Sequence, residues 1–244
     1  MGVTDEAIEK IKAMIVSGRL RPGDRLPPEP ELASLLMVSR SSLREAVRAL
    51  SLIQVLDVRQ GDGTYVTSLE PAVLLEGTSF VVDLFPESMQ VELYQVRRIL
   101  EPAAAALAAA RVDDDTVERL KQRLQDMEAA TAISDLAETD LEFHRVFVGA
   151  AGNRLLASLI ESLSGRTIRT RVWRFLTEKE VVEETKAEHR QIFEAIRARD
   201  PELAAAAARE HIARGEQWLR HELELGAMLS PAAPPATGQT RTTG

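Results

Sequence analysis

The chain has 244 residues, a net charge of −8, 45% hydrophobic residues and only 4% aromatics. That length can bury one large core or two modest ones, no apolar run approaches the ~20 residues of a bilayer span, and the absence of cysteine excludes disulfides and thiolate metal sites. Residues 1–68 carry nine Lys/Arg and nine Asp/Glu, so the negative excess falls in residues 69–244: an acidic body excludes indiscriminate nucleic-acid coating, while a neutral head with clustered arginines can still meet phosphate.

From Thr4 to Ser17 apolar residues recur at Ala7, Ile8, Ile11 and Ile15, which predicts a helix ended by Gly18. Its acidic start lacks a small-residue cleavage site, so the N-terminus does not read as a signal peptide. A cytoplasmic protein with no membrane partner is expected. "RLRPGDRLPPEP" is a Pro/Gly-rich connector, followed by a short helix over Glu29–Leu36 and a brief turn at Met37–Val38.

Ser39 is placed to cap the next helix, Ser39–Ser51. Arg40, Arg44 and Arg48 fall on adjacent turns of one flank, apart from an apolar stripe of Leu43, Val47 and Leu50. The stripe can pack on a core while the arginines stay outside. "VLDVRQGDGTYV" reads as two strands, Val55–Arg59 and Thr64–Val66, around a Gly-Asp-Gly turn. Three helices plus a β-hairpin over 1–68 make a winged helix-turn-helix, with Ser39–Ser51 as its recognition helix.

Three motifs in this stretch are PGD-x-LP-x-E-x-x-LA, VSR-x-x-LREA-V-x-x-L and G-x-G-T-x-V. They resemble the DNA-binding domain of GntR-family transcription regulators. The resemblance implies that Arg40 and Arg44 reach base edges in the major groove, where an arginine fork suits guanine. It places Ser39, Ser41, Ser42 and Arg48 at phosphates, and Gln60, Gly61 and Gly63 at a wing tip in the minor groove. The sequence departs from the family pattern at Pro30, where Arg is usual, and at Met37 and Gln54, where Gly is common.

Residues 69–88 read as a linker. From Met89 the chain reads helical, over about 89–111, 114–132, 135–151, 154–176, 178–199 and 201–226. Asn153 is expected to cap a helix, and Pro201 suits a first helical position. This gives an all-α helical-bundle effector domain over 89–229 and a mainly α protein. The low-complexity "SPAAPPATGQTRTTG" of 230–244 is expected to be disordered.

Asp140 and His144 stand four residues apart on one helical face, and His189 and His211 come from two further helices. Three imidazoles and a carboxylate suit a divalent ion such as zinc, nickel or manganese. The other reading is a set of groups that hydrogen-bond one another or a ligand. His221, about three turns beyond His211, is expected to miss the site.

"VRRILEPAAAALAAA", "DLEFHRVFVGAAGNRLLASLIE" and "AEHRQIFEAIRARDPELAAAAAREHI" resemble the FCD-type effector domain of the FadR-like subfamily of GntR regulators. The resemblance implies that Asp140, His144, His189 and His211 hold the metal, zinc first, with nickel or manganese as alternatives. It implies that this ion helps hold a small carboxylate effector, and that Arg97 forks onto an anion. Arg97 can equally pair with Glu101 one turn away. Arg166, Arg169, Arg171 and Arg174 cluster and can line the cavity or a dimer face.

The expected protein is therefore a ligand-responsive regulator, in the usual sense a repressor. It would bind a near-palindromic double-stranded operator as a homodimer. The rival from another class is a helical metalloenzyme using the Asp/His set. Against it, the sequence has no His-Glu-x-x-His and no Glu three residues before any of the three histidines. No catalytic residue is assigned.

Overall fold

A computed structural model describes residues 2–177 and 179–224, apart from the side chains of Glu87, Arg166 and Lys179. The expected disordered tail, 230–244, lies outside the described residues, as do residues 225–229 of the expected effector domain.

The head begins with α1 (Val3–Val16), which buries Ala7 and Ile11 and turns off at Gly18, φ +74°. Asp5 reaches back to accept from the Gly2 amide at 2.8 Å. Next come α2 (Glu29–Leu36) and α3 (Arg40–Leu52). Ser39 caps α3 as the sequence predicts, its Oγ accepting from the Ser42 amide at 3.1 Å. The buried stripe of α3 is Leu43, Ala46 and Leu50, with Val47 only half-buried. Ala46 is fully buried, on the helix that packs against α1.

β1 (Leu56–Arg59) and β2 (Gly63–Val66) pair antiparallel, with Leu56 opposite Val66 and Arg59 opposite Gly63. Only the Leu56–Val66 end enters the core; the other end projects as the wing. The Leu26 amide donates to the Thr64 carbonyl at 2.8 Å, tying the connector to the hairpin. Leu20, Leu26, Leu32, Leu36, Leu43, Leu50 and Leu56 make one continuous core.

The linker read over 69–88 is not featureless. It contains α4 (Pro71–Leu74), α5 (Glu76–Asp83) and a 3₁₀ turn at Glu87–Met89. These elements are too short to show a helical period, yet α5 buries Val82, and both helices pack against α9 (Arg154–Thr177).

The body continues with α6 (Gln90–Arg111), α7 (Asp114–Ala129), α8 (Ile133–Ala150), α9, α10 (Lys179–Arg197) and α11 (Pro201–Glu224). Local chemistry sets the breaks. Asp113, Asn153 and Asp200 each accept a backbone N–H three residues on, at 2.8, 3.1 and 2.9 Å. A second core, separate from that of the head, gathers Leu120, Met127, Phe143, Phe147, Ile160, Ile192 and Ile196. α6 presents Ala104, Ala105, Ala108 and Ala109 inward, so neighbouring helices approach closely. Gly215 on α11 faces Tyr94 on α6; a Cβ there would lie 2.7 Å from Tyr94 Cε1. No helix among the described residues is long and apolar enough to cross a membrane.

Candidate DNA-binding face and candidate metal centre

Arg40, Arg44 and Arg48 all project from α3 into solvent. At its N-terminus the hydroxyls of Ser41 and Ser42 each lie 2.8 Å from that of Ser39. Hydroxyl donors at a helix N-terminus suit a phosphate, because the helix dipole adds partial positive charge there. Arg48 Nη1 donates to Glu45 at 3.0 Å. Arg44 Nε donates to both oxygens of Glu29, at 2.8 and 3.0 Å, which leaves its terminal nitrogens outside that contact.

Gln60 and Gly61 sit exposed at the hairpin tip, with Gly61 at φ +78°. Gly63 is required for space: a Cβ there would lie 2.6 Å from Arg25 Nε. The Arg25 guanidinium donates to the Asp62 carbonyl, and the Tyr65 hydroxyl donates to Asp62 Oδ2 at 2.9 Å. Arg25 thus braces the wing, and Glu29 orients Arg44. The sequence reading singled out neither, although both stand inside the first motif. A cavity of about 380 Å³ opens between α2, α3 and the hairpin, lined in part by Arg25, Glu29, Arg44 and Arg48.

In the body, α8 supplies Asp140 and His144, α10 supplies His189 and α11 supplies His211. All four are buried, with ligand atoms within 4.8 Å of one another. His221 is exposed further along α11 and does not join them. Each imidazole uses Nδ1 on a fixed partner. His144 Nδ1 lies 2.7 Å from Glu101 Oε2, His189 Nδ1 lies 2.8 Å from the Thr185 carbonyl, and His211 Nδ1 lies 2.7 Å from Glu188 Oε2. Carbonyls and carboxylates accept, so Nδ1 carries the proton on each ring and Nε2 keeps a lone pair.

Those lone pairs converge. His144 Nε2 is 3.2 Å from His211 Nε2 and 3.3 Å from His189 Nε2, and His189 Nε2 is 3.3 Å from Asp140 Oδ1. The spacings are hydrogen-bonding distances with no proton left to fill them. Four acceptors held together in a dry site repel one another unless a cation joins them. Ligands roughly 2.0–2.1 Å from one tetrahedral ion would stand about 3.3 Å apart. The partners of Nδ1 are also what orient histidine ligands at metals. The residues fit a divalent ion.

The electrostatics agree. Burial lowers His144 and His189 to about 4, against the pull of Glu101 and Asp140 respectively. Burial, reinforced by His189, pushes His211 well below its ordinary value. Burial alone would raise Asp140 and Glu101, but Arg171 beside the first and Arg97 beside the second hold them far below the usual carboxylate range. The site at neutral pH is neutral imidazole and ionised carboxylate, the protonation state metal binding requires.

Arg97 is almost wholly buried, and its Nε donates to Glu101 Oε1 at 2.5 Å. The pair with Glu101 is therefore formed, and Glu101 bridges Arg97 to His144. Of the arginine cluster on α9, Arg169 is exposed while Arg171 and Arg174 turn inward; the side chain of Arg166 lies outside the described residues. Arg171 Nε approaches Asp140 Oδ2 at 2.8 Å, an ion pair without hydrogen-bond alignment. Sequence reasoning missed Glu101, Glu188 and Thr185 as supports of the histidines. Glu101 and Glu188 are ordinary helix formers, and nothing in their spacing separates them from solvent-facing glutamates.

Comparison with known proteins bears on both halves. Residues 3–66 match the model for bacterial regulatory proteins of the gntR family, and residues 92–214 match the FCD domain. The chain is 32% identical to the HTH-type transcriptional regulator LutR of Bacillus subtilis over 212 residues, covering 84% of this chain and 96% of that protein. It is 28% identical to the galactonate operon transcriptional repressor of Escherichia coli, covering 89% and 96%. Among solved structures, a GntR protein of Streptococcus agalactiae superposes with a TM-score of 0.68 at 29% identity, covering 88% of this chain and 99% of that one. These matched proteins are regulators rather than enzymes, which sets aside the metalloenzyme reading.

Proposed function

The chain belongs to the gntR family of bacterial regulatory proteins, in the group whose second domain is an FCD domain, and from that premise we propose a metal-dependent sensor of a small carboxylate that controls an operator. The head supplies the DNA contacts. Arg40 and Arg44 read base edges, Ser39, Ser41, Ser42 and Arg48 hold phosphates, and Gln60, Gly61 and Gly63 form the wing contact. Two copies of the chain reading two half-sites bind a near-palindromic operator. The repressing sense is the one the galactonate operon relative carries in its name.

The single observation that carries the sensing role is the convergence of three Nε2 atoms and one carboxylate oxygen, each imidazole locked through Nδ1. Asp140, His144, His189 and His211 would hold a divalent ion, zinc foremost. Such an ion would supply a Lewis-acidic centre, and a carboxylate oxygen would join it by expanding the coordination beyond the four protein ligands. Glu101 ties Arg97 to this centre, and Arg97 also lines the cavity beside it.

α9 gives a route to the DNA. It carries Arg171 and Arg174 at the cavity, and α4 and α5, which lead from the head, pack on it. Arg154 on α9 pairs with Glu70 at 3.1 Å. An effector that prefers one placement of α9 biases the placement of the heads by its difference in affinity for the two states.

The test is thermal melting of the full chain, zinc-loaded and chelator-stripped, against a panel of small acids, followed by operator binding with each hit. Zinc should raise the melting temperature by mass action, and at least one acid should raise it further only when zinc is present. Equal melting of loaded and stripped protein, with no acid response, would defeat the proposal.

A further inference from the structure

The buried charges around the histidines balance without an ion. Arg97, Arg171 and Arg174 stand against Glu101, Asp140 and Glu188, and all six are more than nine-tenths buried. Arg214, half-exposed, lies 3.3 Å from Glu188 Oε1 and 3.1 Å from Glu210 Oε1, so the pair it forms with Glu210 leaves the balance unchanged. A divalent ion adds two positive charges to a buried site. Uncompensated buried charge is strongly unfavourable. A single carboxylate would leave at least one positive charge uncancelled.

The same wall holds unused donors. Arg171 Nη1 and Nη2 and Arg174 Nε are buried and lack a hydrogen-bond partner among the described residues. Buried polar atoms are rarely left so, and an exception asks for a reason. Both side chains line the cavity that also touches Asp140 and His211, and they stand one turn apart on α9. A guanidinium with two free terminal nitrogens matches the two oxygens of a carboxylate.

We infer that the effector is a dianion, a small dicarboxylate, with one carboxylate toward Asp140 and the three histidines and the other on Arg171 and Arg174. This rests on the carboxylate-sensing reading above and narrows it. The cavity holds about 20 Å³, room for about one water. A dicarboxylate therefore enters only by displacing part of this lining, which includes Arg171, Arg174 and Phe175 of α9. That displacement couples occupancy to the helix on which α4 and α5 rest.

The experiment uses the zinc-loaded full chain and matched acids that differ by one carboxylate: propionate against succinate, lactate against malate, gluconate against glucarate. Calorimetry should find at least one dianion binding ten times or more tighter than its partner, with a melting shift of several degrees. Arg174→Gln should reduce that dianion to the affinity of its monoanion, with zinc content and circular dichroism unchanged. Arg171→Lys, which keeps the charge opposite Asp140 but loses the fork, should weaken the dianion selectively. Equal affinity within every pair would overturn the dianion while leaving carboxylate sensing intact. A dianion preference that survives both variants would overturn the assignment of the second carboxylate to these arginines. No response to any acid would overturn the sensing reading and this inference with it.

Discussion

At Arg44 the guanidinium is divided between two tasks. Glu29 takes Nε, which fixes the plane of the fork, and the terminal nitrogens remain for a base edge. Arg48 pairs with Glu45 on its own helix, which suits a contact that positions the domain without reading sequence. The two should therefore fail differently. Arg44→Ala should weaken operator binding roughly 10- to 100-fold and relax preference at one base pair of each half-site. Arg48→Ala should weaken binding to every sequence alike and lower the salt slope by about one. Fluorescence anisotropy against single-base variants, repeated over a salt series, separates the two; identical profiles for the variants would contradict the assignment.

At the scale of elements, both helices of the turn end on residues that the backbone does not favour. Met37, after α2, has φ 53°, and Gln54, after α3, has φ 60°. Left-handed conformations cost an L side chain roughly 1–2 kcal/mol and suit glycine at helix ends. The departures from glycine noted in the sequence therefore sit where glycine is most apt. Met37 is 84% exposed, so little packing is lost with its side chain. Thr67 Oγ1 donates to the Gln54 carbonyl at 2.7 Å, a backbone contact any residue there keeps. Met37→Gly and Gln54→Gly should each stabilise the head by about 0.5–1 kcal/mol. Urea unfolding of the variants checks this, and a loss of stability would mean the native side chains contribute contacts that offset the strain. The same scale explains the linker. Pro71 at the first position of α4 was a usable helix signal, but the partner of α4 and α5 is α9, more than 70 residues on.

At the scale of the molecule, the buried histidines couple folding to pH. Burial lowers His144 and His189 from 6.5 to about 4. Between those values the unfolded chain binds protons that the folded chain excludes, so stability rises with pH through that window. The contribution is fully present above 6.5 and is lost as pH falls toward 4. Chelator-stripped protein should melt at a clearly lower temperature at pH 5 than at pH 7.5. A melting temperature independent of pH over that range would contradict the burial of the imidazoles as neutral groups.

Much of this was legible in the residues. Local chemistry decided the head: the serine cap, the arginine flank and the alternating hairpin need only nearby partners, so spacing revealed them. The helix cap at Asn153 was legible in the same way, whereas the caps at Asp113 and Asp200 emerged with the structure. The four candidate ligands were found because histidine and aspartate are distinctive and few. The tertiary structure alone decided which arginines of α9 turn inward, that Glu101 joins Arg97 to His144, and that Glu188 supports His211. Those are contacts between helices 23 to 43 residues apart in sequence or more, made by residue types that are common on any solvated helix. Sequence period tells which face of a helix is apolar; it does not tell which charged residue on the remaining face will be enclosed when five helices close around a site. That enclosure turns ordinary salt-bridging groups into a dry, charge-balanced pocket.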